Sequence, residues 1–152
     1  MVAWTLAIAV LVGAGITAGV MMAVALSIVP AFAALAPERY VETHKLVGRY
    51  FDRLMPPLVL TTIVTAVTGA VLAPASASRV LFAAAAVFLG GVSAVSQLGN
   101  VPINRRVKAL AAGPVPAGWH DPRAAWGRLH LIRTSFAVLA LCTAATTAVS
   151  LR

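Results

Sequence analysis

Residues 1–37, MVAWTLAIAVLVGAGITAGVMMAVALSIVPAFAALAP, carry no charged side chain. A membrane-crossing helix needs about 20 predominantly apolar residues. The run is therefore long enough to cross the hydrocarbon layer and continue into the interface, with the crossing ending near Pro30, where the ring removes a backbone donor. A cleaved secretory leader is the competing reading, through Ala31-Phe32-Ala33. Such leaders have a basic start and a shorter apolar stretch, so a first span is the better expectation.

Working outward, two more uncharged segments follow, Leu54 to Ser78 and Val80 to Asn104. A fourth apolar segment opens at Asp121-Pro122, an N-cap residue followed by the imino acid suited to the first helical position, and continues to about Ser150. The expected spans are 3–30, 56–74, 80–101 and 126–150 within a single transmembrane domain, 1–152. The fold class that follows is all-α, an integral membrane four-helix bundle.

Composition excludes the soluble alternatives. Hydrophobic residues make up 61% of the chain and charged residues 11%, with a mean hydropathy of +0.93, whereas about a quarter of the residues in soluble domains are charged. The 152 residues leave no room for a separate soluble catalytic domain. A net charge of +8 would suggest nucleic acid in a soluble protein. Here the basic residues flank apolar segments, which points to membrane lipid as the partner and to no nucleic acid. Cys142, the only cysteine, permits neither an internal disulfide nor a thiolate metal cluster.

Lys and Arg are distributed unevenly. Arg39, Lys45, Arg49 and Arg53 lie in the first connection, and Arg105, Arg106, Lys108, Arg123 and Arg128 lie in or beside the third, against Arg79 and Arg152 on the other side. The positive-inside rule places connections one and three in the cytoplasm and both termini outside a cell membrane. Gly15 and Gly19, Gly90 and Gly91, and a face made of Thr61, Thr65 and Thr68 are the expected helix contacts, with a homo-oligomer as one use of them.

Between the first and second spans, Tyr40, His44, Val47, Phe51 and Leu54 share one helical face, opposite Glu38, Glu42, Lys45, Arg49 and Asp52. This pattern predicts an amphipathic interfacial helix, begun at Pro37 and ended at Pro56-Pro57, with His44 turned toward the bundle.

Ser93, Gln97, Asn100 and Asn104 recur at spacings of four, three and four, a polar stripe in an apolar span, with Pro102 expected to open the helix end. On the fourth helix Trp126, His130 and Arg133 share a face, so two ionisable side chains enter the membrane together. Topology brings both sets to the end that holds His44. The expectation is an apolar-walled pocket on which His44, Gln97, Asn100, Asn104, Trp126, His130 and Arg133 converge, a form suited to a lipophilic small molecule. The bland readings are interhelical hydrogen bonding for the amides, snorkelling for Arg133 and an interfacial position for Trp126.

Asn100-Val-Pro102-Ile-Asn104 closing a third span, followed by Trp126, His130 and Arg133 opening a fourth, resembles the anthrone-oxygenase-like family of small four-helix membrane proteins. The resemblance extends over essentially the whole chain. It implies oxidation of a phenolic polycyclic, anthrone-like substrate of polyketide type to a quinone by molecular oxygen, with no flavin, haem or nicotinamide cofactor. It points to Asn100, Asn104, Trp126, His130 and Arg133 and adds nothing about His44. The mechanism it suggests has His130 removing a proton from the acidic methylene, Arg133, Asn100 and Asn104 stabilising the enolate, and Trp126 stacking on the substrate, while Gln97 and His44 are expected to help bind the substrate on helical geometry alone. Two alternatives stand beside it: a copper or iron redox enzyme with His130 and His44 as ligands, and a non-enzymatic binding or accessory subunit.

Overall fold

The computed structural model describes residues 1–111 and 113–151. Arg152, one of the two basic residues assigned to the outer side, lies outside them. Four helices long and apolar enough to cross a membrane account for almost all of the described chain: α1 (Val2–Ala34), α2 (Pro37–Leu72), α3 (Ser76–Ala109) and α4 (Arg123–Ser150). Each boundary has a local cause. Ala36 is extended before Pro37, and Ala73 is extended before Pro74, as a residue preceding proline prefers. Between α3 and α4 the chain turns through Gly113 and Gly118, both with positive φ, which only glycine adopts at little cost.

Each helix packs against its neighbours in sequence, and α4 closes the ring against α1. This is the up-down-up-down bundle of a multi-pass membrane protein. Leu26, Leu54, Val87 and Leu98 point outward, where lipid rather than water is the solvent.

Residues 37–55 are helical and amphipathic, but they do not form a separate element. α2 runs unbroken through Pro56 and Pro57. The two imino acids leave the carbonyls of Asp52 and Arg53 without helical donors. Residues 51–54, 56 and 57 are exposed, so that stretch of helix faces out of the bundle.

Of the four glycines expected at helix contacts, Gly91 makes a close one and Gly15 an ordinary one, and the others make none. A Cβ on Gly19 would meet nothing within 4 Å, and Gly90 is equally open. The close approaches are at Gly13, which faces the side chain of Thr62, at Gly69, where a Cβ would lie 2.5 Å from the Phe82 ring, at Gly91, against Phe136, and at Gly99, against Leu129. Thr61, Thr65 and Thr68 bond back to carbonyls of their own helix and form no interface. Thr62 is the buried threonine of that segment.

Two turns depart from α geometry. Val24–Ile28 in α1 and Ser96–Asn100 in α3 are π-helical. Each ends two residues before a proline, Pro30 or Pro102. Such a turn inserts one residue into the helical repeat and widens the backbone locally. Both occur at the same end of the bundle.

Candidate functional site

Between these widened turns the four helices enclose a cavity of about 120 Å³. A buried water needs only roughly 10–15 Å³ of such space, so the cavity is large enough for a ligand or several waters. Its wall is mainly apolar, with Val24, Ile28 and Phe32 from α1, Val47, Phe51 and Met55 from α2, and Val92 and Val101 from α3. Polar side chains enter from three helices: His44 and Asp52 of α2, Ser93, Ser96, Gln97 and Asn104 of α3, and Trp126, His130 and Arg133 of α4.

Six of the seven residues expected at the site therefore line one cavity. The seventh, Asn100, lies behind the wall, fully buried, and donates from Nδ2 to the Trp126 carbonyl at 3.1 Å. The π turn explains the difference. A stripe at spacings of four, three and four assumes uninterrupted α geometry, and the residue inserted between Ser96 and Asn100 breaks it. Ser96, off the stripe in sequence, is carried onto the wall instead.

The π turns also supply partners for the charged pair. His130, fully buried, donates from Nε2 to the Met21 carbonyl at 2.9 Å, just ahead of the first π turn. Because a carbonyl only accepts, Nε2 carries the proton and Nδ1 is left as an acceptor. Arg133 fills it, with Nε at 3.1 Å and Nη2 at 2.8 Å, and its Nη1 donates to Ser96 Oγ in the second π turn at 3.2 Å. The two nitrogens of His130 are thus both engaged, and the imidazole holds the guanidinium against the cavity.

No carboxylate among the described residues lies within ion-pair distance of Arg133. Of the four acidic side chains, Glu42 pairs with Arg39, Asp52 with Lys108 and Asp121 with Arg123, and Glu38 forms no ion pair. A cation held at membrane depth with neutral partners is costly unless something anionic joins it.

His44, 3% exposed, donates from Nε2 to Asn104 Oδ1 at 3.1 Å. The same oxygen accepts the indole N–H of Trp126 at 2.9 Å. Trp126 stacks on His130 with 14° between the planes and meets His44 edge-on, so the indole connects the two imidazoles and is built into the wall. Phe32 and Tyr40 pack around His44. Three buried polar atoms of this end have no partner among the described residues: Tyr40 Oη, His44 Nδ1 and Asn100 Oδ1. Of the three residues, only His44 belongs to the cavity wall.

The mouth is framed by α2 and α3. Gln97 is exposed on α3 and Asp52 on α2. Asp52 is bridged to Lys108 across that seam, and Gly48 leaves the space through which the lysine passes. Lys45 closes the same seam by donating to the Leu110 carbonyl at 2.5 Å. At the head of α4 the cap position is taken by Pro122 and the helix begins at Arg123, one residue later than expected, so Asp121 lies just ahead of the cap, where it accepts the Arg123 backbone N–H at 3.0 Å. The Arg123 guanidinium, bonded to both Asp121 oxygens, holds that carboxyl below the usual carboxylate range. It also donates to the Phe32 and Leu35 carbonyls, tying the end of α1 to α4.

A family model described as anthrone oxygenase matches residues 44–143, more than half of the chain. The chain belongs to the anthrone oxygenase family. The matched region begins at His44 and takes in every other cavity residue of α2, α3 and α4. No curated protein and no solved structure matches the chain. Membership points to an oxygenase-like function for the chain. A metal held by His44 and His130 fits the donor set poorly. His130 has no free lone pair while Arg133 and Met21 occupy its nitrogens, and no cluster of three or more metal-binding side chains occurs among the described residues.

Proposed function

We propose that this member of the anthrone oxygenase family oxidises a lipophilic phenolic polycyclic ketone to a quinone, with molecular oxygen as the co-substrate. The supporting observation is Arg133, a guanidinium on an apolar-walled cavity with neutral hydrogen-bond partners and no carboxylate within ion-pair distance, the Asp52 of the mouth being bridged to Lys108. A neutral, membrane-soluble substrate enters without a desolvated charge. Once its methylene loses a proton, the enolate supplies the anion the arginine lacks. Charge stabilisation is then available only after the reaction has begun, which is the condition for lowering a barrier rather than tightening binding.

The step sequence balances without an added electron carrier. Proton removal leaves the C–H electron pair on the ring system as an enolate. The enolate gives electrons to oxygen and forms a C–O bond, and the returned proton makes a hydroperoxide. Loss of the second methylene proton and cleavage of the O–O bond release water and leave a carbonyl. Aromatic delocalisation makes the enolate electron-rich enough for this exchange. Gln97 at the mouth and the rings of Trp126 and Phe32 would position the planar substrate.

In this reading the basic end of the bundle faces the cytoplasm, because the first and third connections meet there. The test is oxygen uptake and quinone absorbance with purified protein in lipid nanodiscs, supplied with an anthrone. Turnover that needs the protein supports the proposal. Oxidation no faster than in protein-free nanodiscs sinks it.

A further inference from the structure

We infer that His44, through Nδ1, is the group that takes the methylene proton, while His130 positions Arg133. The inference rests on the oxygenase reading above and assigns the base within it.

Elimination leads there first. Proton removal from the substrate needs a basic lone pair on the wall. His130 lines the cavity, but its Nδ1 already accepts from Arg133 and its Nε2 is protonated toward Met21. Asp52 is exposed at the mouth and paired with Lys108. Ser93, Ser96, Gln97 and Asn104 carry no basic atom. His44 belongs to the wall, and its Nδ1 is the basic lone pair left unpaired among the described residues; the nitrogen itself is buried, so the substrate meets it as the ring turns toward the cavity. A buried acceptor left unpaired costs about 1–3 kcal/mol. A substrate donor removes that cost.

The surroundings of His44 support the same role. Asn104 Oδ1 accepts the Nε2 proton and so places the lone pair on Nδ1. Trp126 donates to that same oxygen and fixes the direction in which the amide points. When Nδ1 gains a proton, the bond from Nε2 to Asn104 becomes charge-assisted and strengthens. The C–H bond breaks, its proton moves to Nδ1 and the electron pair stays on the substrate beside Arg133. The imidazolium returns the proton to the peroxide oxygen. Base and counter-charge thus reside on different helices, α2 and α4, with the substrate between them.

The test separates proton removal from oxygen chemistry. Wild-type protein in nanodiscs is given anthrone in deuterated buffer without oxygen, and loss of the methylene proton signal is followed. Protein-dependent exchange is expected. His44→Gln keeps a donor where Nε2 stood and removes the lone pair, so exchange is expected to fall by about 10²- to 10⁴-fold, the usual share of a positioned base. His44→Phe serves the same purpose with a ring of similar size. Substrate supplied already ionised bypasses the base, so oxygen uptake by either variant is expected to recover with it, which a purely structural role would not produce. Wild-type protein that consumes oxygen without exchanging the methylene proton overturns the inference, as does a His44→Gln protein with wild-type exchange. Wild-type protein that neither exchanges the proton nor consumes oxygen overturns the parent reading instead.

Discussion

At the end of the bundle that carries the chain termini, Ala7, Ala14, Ala66, Ala85, Ala140 and Ala144 bring the helices together, with Phe82 and Leu89 filling what space is left. At the opposite end, Phe32, Tyr40, Ile103 and Trp126 hold the helices apart, and both histidines of the site lie among them. Alanine contributes no side-chain entropy cost and no polar atom, so close contact of this kind excludes a ligand. Aromatic side chains and π turns do the reverse, leaving a cavity and exposing backbone carbonyls that polar side chains then use. One end is close-packed, and the other holds the cavity.

The contrast is broken most severely at Arg133. Arg133→Met keeps the bulk, removes the charge and frees His130 Nδ1. Oxygen uptake is expected to fall by about 10²- to 10³-fold, the range for deleting one stabiliser of a developing anion, with the protein still present in the membrane. Uptake within a few-fold of wild type would show that the cation is not used.

At the small-residue end the expected loss is in stability, not turnover. Gly69→Val places a side chain against the Phe82 ring, and overpacking of this kind costs about 1–3 kcal/mol. The melting temperature in detergent should drop while turnover per folded molecule holds. A fall in turnover at unchanged melting temperature would mean that the two ends are coupled. Between these extremes lies Trp126→Phe, which removes one of the two donors to Asn104 Oδ1. A net loss of about 0.5–1.5 kcal/mol at that bond corresponds to roughly a 2- to 13-fold drop in rate, read as turnover.

The smallest effect is expected at Asp121. Its folded pKa lies below the ordinary 3.8, so its contribution is fully present above that value and is lost as pH falls through the lower, folded value. Asp121→Asn should flatten the acid limb of a melting-temperature profile and leave it unchanged at pH 7 apart from a small constant offset. An acid limb identical to wild type would show that Asp121 carries none of the acid sensitivity.

The architecture was legible because lipid imposes a strong rule: a long run without charge must be a helix, and Pro37 and the Asp121-Pro122 pair mark, to within a residue, where helices start. The membership of the site was legible for a similar reason, since amides and ionisable groups are costly in apolar spans and seldom occur there without a polar use. What the sequence left hidden is local register. The π turns displace Asn100 from the wall and bring Ser96 onto it, and the nearest sequence signal was a proline two residues further on. The hydrogen-bond partners of the two histidines were hidden too, because spacing places a ring on a face but does not show which nitrogen is already taken. Pro56-Pro57 misled in the opposite direction, as a break that an outward-facing helix surface absorbs.

That unbroken helix ties the site to the bilayer itself. Thirty-six residues at about 1.5 Å each extend about 54 Å, far beyond a hydrocarbon layer of about 30 Å. The lower half of α2 must ride at the headgroup level, and because no hinge separates it from the span, His44 shifts in depth and tilt with the whole rod. Membrane thickness thereby becomes a variable of the active geometry. Lipids with shorter or longer acyl chains act on the proton-accepting nitrogen mechanically, through the angle of a lever whose long arm they surround.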